Sequence, residues 1–502
     1  MNIQLLLLPF FIAFALTSLP ILGRSREIIA ILFSCVPLFI IIALFNEGNE
    51  LLYHYEISQN TTISFGFKFD AISVFFGLLI SLCAPLVLFF VHAQRLSERF
   101  LTRFYALFYL LLGGMLLLLF SGDFITFLVG KEIISYTSYF LFMLSTRGKG
   151  RALGYFLIVS ILSGMTLFLS ALIFYSYSGS FLFSHNELLF KDFDPRVQIT
   201  LLALLGFTFS ARPLLFLLSS QTMQLFASRS LPIALFLLIA LTKLPLYGLF
   251  FFGFFFVFGH SDSSYEIAQN YPYFLSLLGG FMLFVGYFRI YKAPSSPLLF
   301  PLLAFSEGGY LIIALSVLSE DLLTSFILLS ISQCLCLALL YALWFYAPSK
   351  NCSATPPRTL FTLIALLGLV GFPPFLGFGS KIALIESLLE LHFPSIALML
   401  ACGYLSGLWI LIKNLCIFKE SSIKLPHIIA IFLFALLLFV SLSPQIQYLI
   451  IREIFDGISW LSLSWGDLKL FSLLTHHVIP YVGIISVAAL AGRGVWHGLK
   501  CR

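Results

Sequence analysis

The chain has 502 residues, of which 60% are hydrophobic and 10% are charged, with a formal net charge of +6 and a mean hydropathy of +1.04. So apolar a composition excludes a soluble globular protein and indicates a polytopic membrane protein. The basic residues are dispersed among the predicted loops, which argues against nucleic-acid binding.

Apolar runs of about 20 residues, long enough to cross ~30 Å of hydrocarbon, recur along the chain. They predict fourteen spans, at 3–22, 28–46, 70–92, 104–120, 124–145, 152–177, 199–220, 230–258, 272–290, 298–317, 321–346, 359–390, 394–417 and 426–443. A weaker fifteenth lies near 471–492, after a stretch with Trp460 and Trp465 that resembles an interfacial segment. The first run lacks a basic n-region and a cleavage site, so we interpret it as a retained span rather than a signal peptide.

Lysine and arginine alternate between the loops of this map. The odd-numbered loops up to the thirteenth hold fifteen of them, and the even loops hold three: Lys68, Lys191 and Arg196. By the positive-inside rule, the N-terminus is predicted outside and the odd loops on the cytoplasmic or matrix side. The basic tail, with Arg493, Lys500 and Arg502, favours the fifteenth crossing.

The run from Leu366 to Glu386, LLGLVGFPPFLGFGSKIALIE, combines a proline pair, four glycines and a lysine. Because proline lacks an amide donor, the helix is predicted to break between Gly371 and Gly377. Broken helix at membrane depth is tolerated only where protein or a water-filled cavity surrounds it. Lys381, just past the break, is therefore the first candidate for chemistry.

Five basic residues fall inside predicted spans: Lys131, Arg212, Lys243, Lys381 and Lys413. Each costs about 2.5–3.5 kcal/mol at a helix centre, so five are not expected by accident. Lys413 lies near a helix end, where it can snorkel to the interface. A buried lysine can give up its proton, which makes Lys243 and Lys381 candidate carriers. Arginine stays charged, so Arg212 is a candidate fixed charge and partner for Glu132.

Among the acids, Glu132 lies in mid-span, and Ser135, Tyr136 and Tyr139 make one face of its helix polar. A pair with Lys131 that satisfies only itself is disfavoured, because neighbouring residues point about 100° apart on a helix. Glu132 is therefore predicted to be functional.

The remaining polar residues leave alternatives open. Asp70 and Asp123 lie at span ends, where a helix-start role is as consistent as any other. Ser306, Glu307 and Gln333 could help water thread the interior or could make helix–helix hydrogen bonds, with Glu307 the more functional of them. Along the chain, the acid Glu132 is followed by the cations Arg212 and Lys243, then by these polar residues and finally by the cation Lys381. A lateral proton wire would require such an order.

The sequence contains neither a phosphate-binding loop nor a dinucleotide glycine pattern, so nucleotide or redox cofactor chemistry is not expected here. Eight cysteines are scattered, and Cys334 and Cys336 lack the spacing of zinc or iron–sulfur ligands. They are interpreted as small buried hydrophobes, and no cofactor or metal is predicted.

Five segments, FGFKFDAISVFFGLL, SGDFITFLVGKEIISYTSYFLF, LTKLPLYGLF, SEGGYL and GFPPFLGFGSK, together resemble a known family. It comprises the antiporter-like, proton-conducting subunits of respiratory complex I, Mrp-type sodium/proton antiporters and membrane-bound hydrogenases. The match runs from Phe65 to about Phe418. The resemblance places the family's key glutamate on Glu132, its central lysine on Lys243, and the lysine of its second broken helix on Lys381.

The resemblance implies an all-α fold of 14–15 transmembrane helices with two inverted five-helix repeats. Each repeat contains a broken helix, the first holding Arg212 and Pro213 and the second Pro373 and Pro374. The implied regions are helices 1–3 in 1–103, the first repeat in 104–258, the second repeat in 272–417, and C-terminal helices with an interfacial segment in 426–502.

The chain departs from the family pattern at several positions. Arg212 falls where the family usually has lysine, and SSQTMQLF after it lacks the family's His-x-Trp-Leu-Pro-Asp-Ala element. Gln333 stands where histidine is common, Leu337 where some members have another lysine, and Lys131 is unusual beside the glutamate. These changes leave a charged pair and two carriers, which also fits a specialised or degenerate structural subunit.

The expected function is proton translocation, with sodium/proton exchange left open, by one subunit of a larger membrane complex. The expected partners are other membrane subunits and the lipids of a bacterial plasma membrane or mitochondrial inner membrane. In the hypothesis, Glu132 and Arg212 pair, movement of that pair changes the field at Lys243, and the proton passes by water and Glu307 to Lys381. The rivals are a stand-alone transporter of a small solute or lipid precursor, with a large central cavity, and a structural scaffold.

Overall fold

The structure is a computed structural model that describes most of the chain up to Leu415. The described residues are 7–18, 24–45, 51–58, 61–93, 98–146, 150–183, 193–226, 231–253, 266–292, 298–317, 319–345, 360–373 and 375–415, with 433, 436, 437 and 440. They divide into two compact units, with the boundary between Pro272 and Tyr273.

The first unit is built of helices and one β-hairpin. Its elements are α1 (Leu8–Ser18), α2 (Arg24–Ser34), α3 (Val36–Phe45), β1 (Leu51–Ser58), β2 (Thr61–Phe67), α4 (Ala71–Ala93), α5 (Glu98–Leu119), α6 (Phe124–Ser145), α7 (Gly150–Ser178), α8 (Pro195–Leu218), α9 (Ser220–Met223), a 3₁₀ turn (Gln224–Phe226) and α10 (Leu231–Gly253). The unit boundary falls inside α11 (Glu266–Lys292). The second unit continues with α12 (Leu299–Ala314), α13 (Glu320–Phe345), α14 (Leu360–Val370), α15 (Leu376–Glu390) and α16 (Pro394–Leu415).

The helices confirm an all-α polytopic membrane protein. In the described part of the chain, nine helices are long and apolar enough to cross a membrane, and they match the predicted second to ninth spans and the eleventh. The tenth and thirteenth are shorter apolar helices, and the twelfth is divided into α14 and α15. The predicted spans 426–443 and 471–492 and the interfacial segment lie outside the continuous described ranges. The inverted relation of the two repeats stays a prediction.

The β-hairpin occupies a stretch to which the hydropathy pattern gave no element. β1 and β2 pair antiparallel, and β2 is held to the junction between α5 and α6. The amide of Gly122 donates to the carbonyl of Gly66 at 2.7 Å, and the amide of Lys68 donates to the carbonyl of Phe120 at 3.0 Å. A Cβ on Gly122 would lie 2.9 Å from the Gly66 carbonyl carbon, so the close approach of the two backbones requires glycine.

Asp70 and Asp123 both take helix-start roles, which settles the alternative left open by the sequence. Asp70 accepts a hydrogen bond from the amide of Ser73 at 2.6 Å. Asp123 accepts from the amide and the hydroxyl of Thr126 at 2.7 and 2.6 Å, and from the amide of Gly66 at 2.7 Å. The Asp123 side chain thus caps α6 and also fixes the hairpin to it.

Replacing Asp123 with alanine is expected to lower the free energy of unfolding by about 1–3 kcal/mol, because buried amide donors lose their acceptor. Thermal unfolding of the purified protein in detergent measures the effect. Asp194→Ala is the matched control, since Asp194 caps α8 through the amide of Arg196 but is exposed. Equal losses for the two variants would contradict a special role for Asp123 in anchoring the hairpin.

The predicted break in the twelfth span is confirmed, because α14 ends at Val370 and α15 begins at Leu376. Gly371 has a φ of +80°, in the left-handed region that glycine adopts at low cost. Its amide donates to the Gly368 carbonyl at 3.2 Å, and the amide of Phe372 donates to the Leu367 carbonyl at 2.8 Å. This pair of bonds is a Schellman motif, which closes the end of α14 just before Pro373.

The helix that holds Arg212 and Pro213 is also interrupted, but not at the proline. α8 continues through Pro213 to Leu218, and the break follows at Ser219. The Ser219 hydroxyl accepts from the amide of Thr222 at 3.3 Å and so begins the short helix α9. Pro213 removes one ladder hydrogen bond without ending the helix.

Candidate functional site

Two groups of buried charges lie in the two units, and the more enclosed one is at the break between α14 and α15. Lys381 of α15 and Glu307 of α12 form an ion pair, with 2.5 Å between Nζ and Oε2, and neither side chain is exposed to solvent. Lys381 Nζ also donates to the carbonyl of Val370 at 2.6 Å. Val370 is the last residue of α14, so the ammonium satisfies a carbonyl that the helix leaves free and lies at the negative end of its dipole.

The other oxygen of the Glu307 carboxylate is also bound. The hydroxyl of Tyr287 in α11 donates to Glu307 Oε1 at 2.5 Å. The side-chain amide of Gln333 in α13 donates to the Glu307 main-chain carbonyl at 3.0 Å. Gln333 therefore makes a helix–helix hydrogen bond, one of the two roles that the sequence left open for it. The Glu307 side chain belongs to the charged site.

Two tyrosine rings complete the enclosure of Lys381. Its Nζ lies 4.0 Å from the centre of the Tyr310 ring and 5.8 Å from that of Tyr404, both within cation–π range. The Tyr404 hydroxyl donates to the carbonyl of Gly371 at 2.9 Å. The ammonium is thus held by groups of α12, α14 and α16 together, and the break itself forms part of its binding site.

In the first unit, Lys131 and Glu132 of α6 form an ion pair, with 3.1 Å between Nζ and Oε1. The sequence argument against this pair was wrong. A Cβ on Gly164 of α7 would lie 2.2 Å from Glu132 Oε1, so the missing side chain leaves space for the carboxylate. Lys131 Nζ also donates to the Ser160 carbonyl of α7 at 3.4 Å. Both side chains turn toward α7, where they meet although their Cα–Cβ bonds diverge.

The expected ion pair between Glu132 and Arg212 is not formed in the described structure. Arg212 of α8 donates instead to the hydroxyl of Ser135 at 2.5 Å, and that hydroxyl donates to the Lys131 carbonyl at 2.8 Å. The Arg212 side chain is buried, and its Nε has no hydrogen-bond partner among the described groups. Lys131 has taken the position at the carboxylate that was predicted for Arg212.

A small cavity of about 30 Å³ lies among α5, α6, α8 and α10. Its polar lining comes from Lys131, Thr208 and Arg212, and apolar side chains from all four helices form the rest. A cavity of that size is large enough to hold water. Two cationic side chains therefore border a space that water can occupy.

Lys243 lies in α10, the helix that also lines this cavity, and its side chain is 1% exposed. The prediction that it is buried is confirmed. Pro245, two residues on, is inside the helix and leaves one carbonyl of α10 without its ladder donor. A continuous row from Glu132 through Lys243 to Lys381 would cross both units and stays a prediction.

Several other candidates can be placed. Ser306 is buried and donates to the Leu302 carbonyl of its own helix at 2.6 Å. Cys334 and Cys336 are buried free thiols. The side chain of Lys413 lies outside the described part. In the described residues no group of three histidine, cysteine, aspartate or glutamate side chains could hold a metal ion.

The predicted site did not include Lys131, Tyr287 or Tyr404. Lys131 was visible in the sequence as an unusual cation beside the glutamate, and that signal would have found it. Tyr287 and Tyr404 carry no comparable signal, because buried tyrosines are common in apolar helices and only the fold brings these two to the charged pair.

Comparison with known proteins finds similar folds among solved structures but no matching sequence family. No protein-family model matches the sequence, and no curated protein matches at a significant level. Solved structures do match. One is in the membrane-bound sulfane sulfur reductase, an archaeal respiratory membrane complex, with 20% identity, a TM-score of 0.73, and coverage of 90% of this chain and 77% of that one. This chain therefore shares the fold of a subunit of that complex.

Two further structures with this fold are similar. The Mrp complex from Dietzia sp. DQ12-45-1b matches at 17% identity with a TM-score of 0.66, covering 85% of this chain and 82% of that one. Respiratory complex I from Thermus thermophilus with bound NADH matches at 16% identity with a TM-score of 0.73, covering 92% and 100%. The three matches confirm the resemblance found in the sequence. At these identities they establish the fold that this chain shares with subunits of those complexes, and the chemistry has to be argued from the site.

Proposed function

We propose that this chain is a proton-translocating, antiporter-like subunit of a larger membrane complex. The observation that carries the proposal is the Lys381–Glu307 pair, which is closed off from solvent beside a helix break. Replacing a buried ion pair by apolar residues of similar size is often neutral or stabilising. Stability alone is therefore a poor reason for this pair, whereas ionisable residues inside a membrane commonly mark ion pathways.

The geometry allows a proton to move within the pair. At 2.5 Å, Lys381 Nζ can pass a proton directly to Glu307 Oε2, which leaves a neutral amine and a neutral carboxylic acid. Two neutral groups are tolerated in a low-dielectric interior, so the step does not create an isolated charge. Exchange of that proton with one aqueous side then completes transfer through the second unit.

The ion is proposed to be the proton. Lysine ammonium has three donors and no acceptor, so it carries a proton but cannot ligate sodium. Both oxygens of the Glu307 carboxylate are already bound by Lys381 and Tyr287. The site is therefore better suited to proton exchange than to holding a metal cation.

The partners are proposed from the complexes in which this fold occurs. The similar structures are those of an archaeal respiratory membrane complex, an Mrp complex and respiratory complex I. We therefore expect other membrane subunits beside this chain, in an energy-coupling membrane. The loop charges favour placing the odd loops on the cytoplasmic or matrix side.

A small-solute transporter is the less favoured alternative. The cavity that reaches Lys131 and Arg212 measures about 30 Å³, which suits a water molecule rather than a solute. A structural scaffold is the other alternative, and it differs from the proposal in one measurable respect. In a scaffold, neutralising a buried charge would change the stability of the protein but not the proton flux.

The test is proton flux in membranes that contain the assembled complex. Lys381→Met is expected to lower the flux at least about tenfold, a barrier increase of about 1.4 kcal/mol or more. Lys292→Met is the matched control, because Lys292 is an exposed lysine at the end of α11. Assembly is checked by copurification of the partner subunits. Unchanged flux through an assembled Lys381→Met complex would contradict the proposal.

A further inference from the structure

The first unit contains one cluster whose charges do not balance, in addition to the buried Lys243 of α10. Lys131, Glu132 and Arg212 lie around α6 and α8, two of them cations and one an acid, so the fully charged cluster carries +1. Lys131 and Arg212 are both nearly inaccessible, at 4% and 7% exposure, whereas the Glu132 side chain is 29% exposed. In the second unit, by contrast, one lysine and one glutamate cancel. An excess charge in a low-dielectric interior is costly, which favours a state in which one cation of the cluster is neutral.

Only one of the two cations can become neutral. Arginine remains protonated in proteins, whereas lysine can lose its proton when it is buried. When Lys131 is neutral, the remaining charges of Glu132 and Arg212 cancel. When Lys131 is charged, its ammonium is held 3.1 Å from the Glu132 carboxylate. The cluster therefore has two states, which differ by one proton on Lys131.

We infer that Lys131 is a proton-carrying residue of the first unit, besides the candidate Lys243, and that Arg212 acts on Lys131 as a fixed charge. The inference rests on the proposed function and names a residue of that same path. In the step, the Lys131 ammonium gives one proton to a water molecule in the cavity of about 30 Å³, which passes it on to an aqueous side, and the nitrogen keeps the electron pair of the N–H bond. Glu132 and Arg212 keep their charges throughout, and the carrier changes from ammonium to amine.

The contacts around Lys131 suit this role. Its Nζ reaches the Glu132 carboxylate and the Ser160 carbonyl, and the side chain also borders the cavity. Arg212 borders the same cavity and is held through Ser135, whose hydroxyl is bonded in turn to the Lys131 main chain. The fixed charge is thus positioned by the carrier's own helix, and both cations border the same small cavity.

Lys131→Arg is the decisive variant, because arginine keeps the positive charge and the ability to pair with Glu132 but cannot release a proton. Proton flux in membranes with the assembled complex is expected to fall at least tenfold. Lys292→Arg provides the same substitution at the exposed end of α11 and is expected to leave the flux unchanged. A lysine that serves only to pair with Glu132 would tolerate arginine, so wild-type flux with Lys131→Arg in an assembled complex would overturn the inference.

Exchanging the two residues gives a second measurement. In Lys131→Arg combined with Arg212→Lys, an amine that can release a proton again borders the cavity, so the flux is expected to recover at least in part relative to Lys131→Arg. If arginine at position 131 prevents assembly, Lys131→Met replaces it: a tenfold loss with the complex intact supports the inference, and full flux overturns it.

The Lys381→Met complex, measured in the same membranes, separates this inference from the proposed function. A loss with Lys381→Met beside normal flux with Lys131→Arg would remove the role of Lys131 and leave the proposed function standing. Absence of proton flux in the wild-type complex would overturn both.

Discussion

Glu307→Ala is expected to lower the free energy of unfolding by about 3–5 kcal/mol, because it leaves the charge of Lys381 buried without its partner. Neither member of the pair is reached by solvent, so water cannot replace the lost carboxylate. The Tyr287 hydroxyl loses its acceptor at the same time. Thermal and denaturant unfolding of the purified protein in detergent measure the loss.

Two comparisons make this result specific to the ion pair. Glu390→Ala removes an exposed acid at the end of α15 and is expected to change the free energy of unfolding by less than about 0.5 kcal/mol. Glu307→Leu combined with Lys381→Met removes both charges and is expected to regain most of the stability lost in Glu307→Ala. The same double variant should conduct no protons. A double variant as unstable as Glu307→Ala would show that the loss comes from packing and not from an unpaired charge.

Gly371→Ala is expected to cost about 3 kcal/mol, through two separate effects at the helix break. The backbone has a φ of +80°, where an L-residue costs about 1–3 kcal/mol. An added Cβ would also lie 2.8 Å from the carbonyl oxygen of Gly377 and 3.2 Å from Cδ of Lys381, and such overpacking typically costs about 1–3 kcal/mol. Because the displaced groups include the lysine stem, proton flux should fall together with stability.

Gly308→Ala is the matched control for this substitution. Gly308 lies in α12 beside Glu307, and the nearest atom to an added Cβ is Met282 Cε at 3.8 Å, an ordinary contact. Alanine also favours the helix over glycine by about 1 kcal/mol, so stability should hold or rise. If Gly371→Ala unfolds at the same temperature as Gly308→Ala, the left-handed turn is not the constraint that the structure implies.

The features that the sequence predicted correctly depend on short stretches of chain. Hydropathy located the spans because every residue in hydrocarbon must be apolar or paired, whatever its neighbours are. Pro373 and the glycines around it located the break, because proline lacks an amide donor and glycine favours the end of a helix. The burial of Lys243, Glu307 and Lys381 followed from their positions within spans.

The features that the sequence did not predict depend on contacts between stretches that are distant along the chain. Pro213 indicated that a break lies near it but not at which residue, since α8 continues through the proline and is capped at Ser219. The hairpin is held by Asp123 and Gly122, which lie more than fifty residues beyond it in sequence. Periodicity along one segment contains no information about such partners.

The partners of the charges illustrate the limit most clearly. Glu132 pairs with Lys131 and not with Arg212, because Gly164 on the next helix leaves room for the carboxylate and Ser135 receives the guanidinium. Lys131, Glu132, Ser135 and Arg212 stood out in the sequence, but Gly164 did not, because the space between two helices cannot be read from sequence.

By itself, then, the sequence determined that this is a polytopic membrane protein with a broken helix before Lys381 and with ionisable residues inside its spans. Hydrocarbon imposes those constraints residue by residue, so they can be read without a fold. Only the tertiary structure decided which charge meets which: Lys381 with Glu307, Tyr287 and the end of α14, and Lys131 with Glu132 beside Arg212. Pairing energies change within a few ångströms in a low-dielectric interior, and distances on that scale are fixed by how the helices pack.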